Sequence, residues 1–339
     1  EDKERESRSF SLNHCKDGAT EGEMMRILMI SPSPPMPIGP ALRAYCIAQA
    51  LARQHEVDII CGDCDTILGS ILRADAVRER VERGCPGVRQ LWLVPFSRAA
   101  GWARLAVGWV RGTPMRVAFC NTRIFAKEFR RRLSEARYDL VWVNLGRMEP
   151  FARGCGIPTV VDLFDSMSLR HATLAEVDPS RLKRLIHRIE SRREAEHEAH
   201  LSRTAYHLVV SAASDANHLI RNGAVPSRVT VLPNVIEWEE LEKSPEDPSL
   251  ESTVLFSGNM GYFPNQDALR FFHKQILPLI FRENPQVSFA VVGSKPPAWA
   301  RRHGRSLPRP SPQPAGCHYR PAPYDSALQP PWSALTEPG

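Results

Sequence analysis

Residues 253–265 read Thr-Val-Leu-Phe-Ser-Gly-Asn-Met-Gly-Tyr-Phe-Pro-Asn, and this stretch decides the fold. An apolar run of the kind found in strands breaks at Gly258 and Gly261, and amphipathic helical spacing begins just past Pro264. A strand, a glycine turn and a helix start in that order make an anion site. The first N–H groups of a helix have no intrahelical partners, and the helix dipole is positive at that end. The turn arrives late in a chain of 339 residues, after a long alternation of strand and helix patterns, so it reads as the opening of a second nucleotide-type unit.

Upstream of it the alternation is regular. Short apolar runs at 25–31, 57–61, 88–94, 140–144, 159–163, 206–211 and 229–232 predict strands buried on both faces of a parallel sheet. Helical patterns predict helices over 41–53, 67–83, 99–110, 123–136, 180–204 and 215–221. Strands alternating with helices specify an α/β chain with a doubly wound sheet. The 180–204 helix repeats Arg and Glu at three- and four-residue spacing, the pattern of an exposed helix laced by ion pairs.

These patterns divide the chain. Residues 1–23, polar and charged, read as a disordered N-terminal extension, and 24–235 as a Rossmann-like doubly wound domain. Residues 236–252 are acidic and proline-punctuated, a linker; 253–304 form an incomplete second Rossmann-like domain with a helix over 266–281 and a strand over 287–292. From 305 to 339 prolines alternate with Arg, Ser, Ala and Gln without apolar periodicity, which reads as a disordered tail because too little apolar surface is on offer to offset ordering entropy.

Composition narrows the classes. With 42% hydrophobic and 24% charged residues the chain can build ordinary cores. Its net charge of +6 suits an anionic ligand or membrane surface as well as nucleic acid. No helix-turn-helix, zinc-finger or RNP pattern supports nucleic acid, and the Arg130–Arg132 triplet reads as a solvated helix face. The 8 cysteines are scattered, as expected of reduced thiols in a cytoplasmic protein, and Cys61-x-x-Cys64 lacks the second pair that a zinc site needs. Residues 1–23 hold no apolar signal-peptide core, and no run approaches the ~20 residues that span a bilayer. The loop at 32–40 has one glycine where a nicotinamide-binding turn has three, and no Gly-Lys-Ser/Thr run marks a P-loop. Trp102, Leu105, Ala106 and Trp109 share a helical face flanked by Arg98, Arg104 and Arg111; that stripe fits either a peripheral membrane contact or core packing.

Two Rossmann-like halves, a linker and a glycine turn opening the second half resemble the GT-B fold of nucleotide-sugar glycosyltransferases. The detailed match is to the retaining glycosyltransferases of family 4, and within them to bacterial sugar transferases of exopolysaccharide and exosortase-linked systems. It rests on Arg-Ile-Leu-Met-Ile-Ser at 26–31, Gly112-Thr113-Pro114, Val-Val-Asp-Leu-Phe-Asp at 160–165 and Val-Ser-Ala-Ala-Ser-Asp at 210–215. Val-Leu-Pro-Asn at 231–234 and Phe-Ser-Gly-Asn-Met-Gly-Tyr-Phe-Pro-Asn at 256–265 complete it.

The resemblance implies that the first half binds a glycan or lipid-linked acceptor and the second a UDP- or GDP-linked sugar, with no cofactor or metal and with chemistry in the cleft between the halves. It gives Gly39 a place beside the acceptor. Asp162 and Asp165 become the candidate catalytic carboxylates at the carboxyl end of a strand, where a carboxylate can hold sugar hydroxyls or steer a proton; an N-cap or a structural salt bridge is the alternative. His171 nearby reads as a surface histidine. Gly258, Asn259, Met260, Gly261 and Asn265 become the donor-binding turn. Family members carry an Arg and a Lys where this chain has Asn259 and Asn265, so here the diphosphate would depend on backbone N–H groups and neutral amides. The family's Glu-x7-Glu element has no counterpart after Gly304, so the second domain reads as truncated. The expectation is a sugar transferase of cell-surface polysaccharide assembly, cytoplasmic or peripheral at the inner membrane face, with weak or no activity in this form. The alternative is a non-catalytic remnant that binds acceptor glycan only.

Overall fold

The computed structural model describes residues 24–37, 41–62, 74–234, 252–293, 295 and 317–321. The chain falls into two compact units, Glu1–Val235 and Ile236–Gly339.

The first unit is built on strands β1 (Arg26–Ser31), β2 (Glu56–Gly62), β3 (Val88–Val94), β4 (Leu140–Asn144), β5 (Thr159–Phe164), β6 (His207–Val210) and β7 (Val229–Val231). All pair in parallel in the order β3-β2-β1-β4-β5-β6-β7. This is the doubly wound arrangement, with its topological switch between β1 and β4. The continuous apolar run of β1 follows from having both faces covered. Leu28 and Ile30 join one core with Phe125, Phe129 and Val143, while Ile27 and Met29 join the opposite core with Ile47 and Val81. All four β1 residues are fully buried, each stabilising the fold by roughly 1.5–3 kcal/mol.

Helices α1 (Leu42–Ala52), α2 (Ala74–Gly84), α3 (Arg98–Val110), α4 (Met115–Cys120), α5 (Arg123–Glu135), α6 (Glu149–Ala152), α7 (Met167–Val177), α8 (Arg181–Thr204) and α9 (Ala213–Arg221) connect the strands. Their starts are legible where Ser or Thr caps them. The side chains of Ser97, Thr122, Ser166 and Ser180 each accept from the N–H three residues on. Three helices lie outside the sequence expectation: α4, α6 and α7. The first two are too short to show a period, and the apolar residues of α7 are distributed around its whole circumference.

Near the start of the sheet, the fully buried Asp58 is held by three donors. Arg26 Nε and Nη2 lie at 3.3 and 3.0 Å, and the Tyr138 hydroxyl at 2.9 Å. Burial first, and then the hydrogen bond to Asp58 and its charge, push the Tyr138 phenol well above its usual range, so it stays a donor.

The second unit has β8 (Thr253–Ser257), β9 (Ser288–Gly293) and β10 (Cys317–Pro321) in the parallel order β10-β9-β8. Met260, Leu269, Leu277, Phe289 and Val291 form its core. The helix expected over 266–281 runs as α10 (Phe263–Phe271), a π-helical segment Phe272–Ile276 and α11 (Leu277–Glu283). Pro278 explains the interruption: it has no N–H, and its ring displaces the carbonyl one turn back.

Within the expected tail at 305–339 the described residues are Cys317–Pro321, which pair with β9 along five register positions from Cys317↔Phe289 to Pro321↔Gly293. An open parallel edge offers unpaired backbone groups that even an irregular sequence can satisfy, and Pro321 sits at the strand's end, where its missing N–H matters least. The expected extension at 1–23 lies outside the described residues, as does the linker apart from Ser252.

Asp58→Ala should lower stability by roughly 2–3 kcal/mol and Tyr138→Phe by roughly 1 kcal/mol, read as shifts in the urea midpoint at constant slope.

Candidate active site

The carboxyl edge of the seven-stranded sheet holds both aspartates that the sequence singles out. At the switch point Asn144, ending β4, donates from Nδ2 to Ser31 Oγ at 3.0 Å, and that hydroxyl donates to the Ser33 carbonyl at 2.6 Å. One strand over, Asp162 in β5 is fully buried. Arg43 on α1 reaches it with Nε to Oδ2 at 2.9 Å and Nη2 to Oδ1 at 3.1 Å. The same guanidinium donates from Nη1 to the Leu232 carbonyl at 2.7 Å and to Asn234 Oδ1 at 3.2 Å. Arg43 therefore joins α1, β5 and the segment leaving β7. Burial raises the Asp162 carboxyl, and the Arg43 hydrogen bonds and charge oppose that rise.

The backbone at this edge is strained. Leu145 and Phe164, which are not glycine, both sit at φ 69°. Each follows or ends a strand, and each is held by a hydrogen bond across the edge. Leu145 N–H donates to the Asp162 carbonyl at 2.8 Å, and Ser211 N–H donates to the Phe164 carbonyl at 2.7 Å. A left-handed residue of this kind costs about 1–3 kcal/mol and persists where the surroundings over-determine it. The turn at Phe164 releases Asp165 from the sheet. Asp165 is half-buried and accepts from Ser211 Oγ at 3.2 Å; burial raises its carboxyl above the ordinary range.

Helix α8 corrects the expectation of an exposed helix. Glu190, Glu194 and Glu198 lie on its inward face and are buried. Their four-residue spacing is legible in the sequence, but Glu190 has Arg193 three residues on and the helix is rich in Arg, which favours the reading of surface pairs. Glu198 braces the start of α7, accepting from Ser168 N–H at 3.0 Å and from the Ser166 and Ser168 hydroxyls at 3.0 and 2.5 Å. His197 bonds the Gly146 carbonyl at 3.1 Å, and burial lowers its pKa. Glu194, Glu198 and His197 line a cavity of about 40 Å³ with Arg116, Arg147 and Met167, just past the ends of β4 and β5. Burial pushes Glu194 up to about 8, with the Glu198 and Glu190 charges adding to the effect, so it is largely protonated at neutral pH.

His171, expected at the surface, is half-buried instead. Its Nδ1 lies 2.9 Å from His187 Nδ1, and burial followed by the His187 charge lowers it to about 4. His171, Glu190 and Glu194 have ligand atoms within 4.8 Å of one another. Glu190 accepts from Met115 N–H at 2.8 Å and from Arg193 at 3.3 Å.

In the second unit the glycine turn is built as the sequence reads but occupies its own donors. Gly258 N–H bonds the Val292 carbonyl at 3.0 Å, and Gly261 N–H bonds Asn259 Oδ1 at 2.9 Å. Asn265 Nδ2 donates to the Asn259 carbonyl at 3.0 Å, closing the turn on itself. Met260 is wholly buried in the core, and its carbonyl accepts from Gln266 Nε2 at 2.6 Å. Gly293 is required by packing, since a Cβ there would lie 1.8 Å from the Gly258 carbonyl oxygen. Gly39 lies outside the described residues.

The structure thus groups Asp162 and Asp165 at one sheet edge and Gly258, Asn259, Gly261 and Asn265 in one turn. Arg43, Glu194, His197 and Glu198 were missed. Arg43 had a readable signal: it is the single charged residue between Ala41 and Ala52, and an isolated charge in an apolar helix needs a buried partner.

Two outcomes follow. Arg43→Met should cost about 3–5 kcal/mol because Asp162 is left buried and unpaired, and adding Asp162→Asn should recover part of that loss, as a double-mutant cycle in urea would show. Glu194 adds a pH dependence. Its folded pKa of about 8 exceeds its ordinary 4.5, so the folded chain binds more protons between those values and loses stability as pH rises through them. Glu194→Gln should remove that loss, gaining roughly 1–3 kcal/mol over wild type at pH ~8.5 relative to pH ~5.

No curated protein matches the chain in sequence. Among solved structures, Anabaena HepE in complex with UDP and glucose is 15% identical, with 79% of this chain and 61% of that one covered at a TM-score of 0.43. The apo lipopolysaccharide outer core galactosyltransferase WaaB is 10% identical over 90% and 71% of the two chains, with a TM-score of 0.47. Medicago truncatula UGT71G1 complexed with UDP-glucose is 14% identical over 80% and 67%, with a TM-score of 0.45. The chain thus spans about 61% of the length of the Anabaena structure. Residues 39–235, more than half of the chain and most of the first unit, match the glycosyl transferase 4-like domain, and the chain belongs to that family.

Proposed function

We propose that the protein transfers a sugar from a UDP- or GDP-linked donor to a glycan or lipid-linked acceptor in cell-surface polysaccharide assembly, with retention of configuration and without a metal or other cofactor. The observation that carries this reading is the match of residues 39–235 to the glycosyl transferase 4-like domain. It is supported by where the carboxylates sit, at the edge where open α/β sheets bind ligands.

In this reading Asp165 is the carboxylate that meets the acceptor. It leaves the sheet at the Phe164 turn, where its carboxylate accepts a hydrogen bond from the acceptor hydroxyl and orients it. Asp162 acts through Arg43, whose fourfold bonding fixes the edge from which Asp165 projects. Gly39 contributes backbone approach on the acceptor side. The turn at Gly258, Asn259, Met260, Gly261 and Asn265 receives the donor diphosphate, with the leaving phosphate itself taking the acceptor proton on the same face. The reaction takes place in the cytoplasm, with the protein peripheral at the inner membrane face.

A second reading, a remnant that binds acceptor glycan without turning over donor, is favoured by one observation. Gly258 N–H and Gly261 N–H are both engaged within the unit, Asn259 and Asn265 are neutral, and the cation at the turn is Lys295, whose stem lies against Gly261. Calorimetry with UDP- and GDP-sugars separates the two. Micromolar donor affinity defeats the remnant reading; acceptor binding with no heat from any donor defeats the enzyme reading. For an active chain, Asp165→Asn should lower kcat about 100-fold or more with little change in the urea midpoint.

A further inference from the structure

Helix α3 is amphipathic in the wrong sense for a helix facing water. Its inner side is made of glycine. A Cβ on Gly108 would lie 2.3 Å from Ala118 Cβ, and one on Gly101 would lie 2.7 Å from Phe119, so α3 lies close against α4. Leu105 and Trp109, expected to share one stripe with Trp102 and Ala106, are instead partly covered, and Arg193 bonds the Trp109 carbonyl at 2.8 Å. The outward side is Trp102, Ala103, Ala106, Val107 and Val110, all exposed, with Trp102 at 60%, Val107 at 52% and Val110 at 86%. No polar side chain interrupts that face, whereas the outer face of a helix in water is ordinarily polar.

Charge identifies what covers it. Arg98 and Arg111 are exposed at the two ends of the face, and no Asp or Glu occurs anywhere from residue 83 to residue 127. An apolar stripe bounded by cations, with an outward tryptophan, matches the boundary between headgroups and acyl chains. There apolar area and attraction to anionic lipid act together. Among the described residues no helix is long and apolar enough to cross a membrane, so the contact is in the plane of the surface.

We propose that the outward face of α3 docks the protein on an anionic bilayer surface, Trp102, Val107 and Val110 entering the interface and Arg98 and Arg111 pairing with lipid headgroups. The proposal does not depend on sugar transfer and stands or fails separately from it.

The full chain should float with vesicles containing about 30% phosphatidylglycerol at physiological salt and not with pure phosphatidylcholine. The double variant Val107→Glu, Val110→Glu should lose about tenfold or more of that binding, and Arg98→Gln with Arg111→Gln should weaken it with a reduced salt dependence. All four positions are exposed, and an unchanged circular dichroism melt confirms that each variant is folded. Equal binding by wild type and the glutamate variant, equal binding to both lipids, or no vesicle binding by wild type would each overturn the proposal. So would self-association of wild type that the glutamates abolish, since the face would then belong to a second copy.

Discussion

The buried ion pair between Arg43 and Asp162 is the constraint around which the carboxyl edge of the first unit is arranged. One guanidinium satisfies both oxygens of a fully buried carboxylate and, with its remaining nitrogen, a backbone carbonyl and an amide on the segment after β7. Such a pair adds little net stability compared with an apolar substitute, because both ions are desolvated. Its effect is geometric. It ties the helix after the first strand to the fifth strand and to the chain's exit, three elements that are far apart in sequence. Arg43 also lies 5.5 Å over the Phe164 ring, so the residue that turns Asp165 out of the sheet is held from above by the same cation.

Much of this architecture was legible in the sequence, and the reasons are local. Residues 140–144 and 253–257 were bounded correctly because continuous apolar runs flanked by turn residues admit few readings. The doubly wound sheet follows from their alternation with helices. What stayed hidden needed a third dimension. Glu190, Glu194 and Glu198 show the same four-residue spacing whether they face water or a core, and the sequence does not say which side of α8 meets the sheet. Asp162 and Asp165 were found as a pair, yet their environments differ. One is locked in an ion pair, while the other is half-buried beside Ser211, and three residues of sequence separation conceal that divergence.

The glycine turn of the second unit shows the opposite case. Its residues were read correctly as a strand–turn–helix junction, and the structure fills in how neutral amides replace charge. Asn259 and Asn265 bond the turn's own backbone, so they shape the loop before any ligand arrives. A lysine or arginine in those places would point a charge outward; an asparagine turns inward and stiffens the bend.

Leu145 and Phe164 give the sheet edge a further property. Leu145 follows β4 and Phe164 ends β5, and the hydrogen bonds that secure them are the last rungs of the β4–β5 and β5–β6 ladders. The strain is carried in the folded state because the surroundings hold it: at Phe164 the Ser211 N–H bonds its carbonyl and the Arg43 guanidinium lies over its ring. Asp165, the next residue, therefore leaves the sheet in a direction set before any molecule arrives, and the cost of ordering it falls on folding rather than on binding.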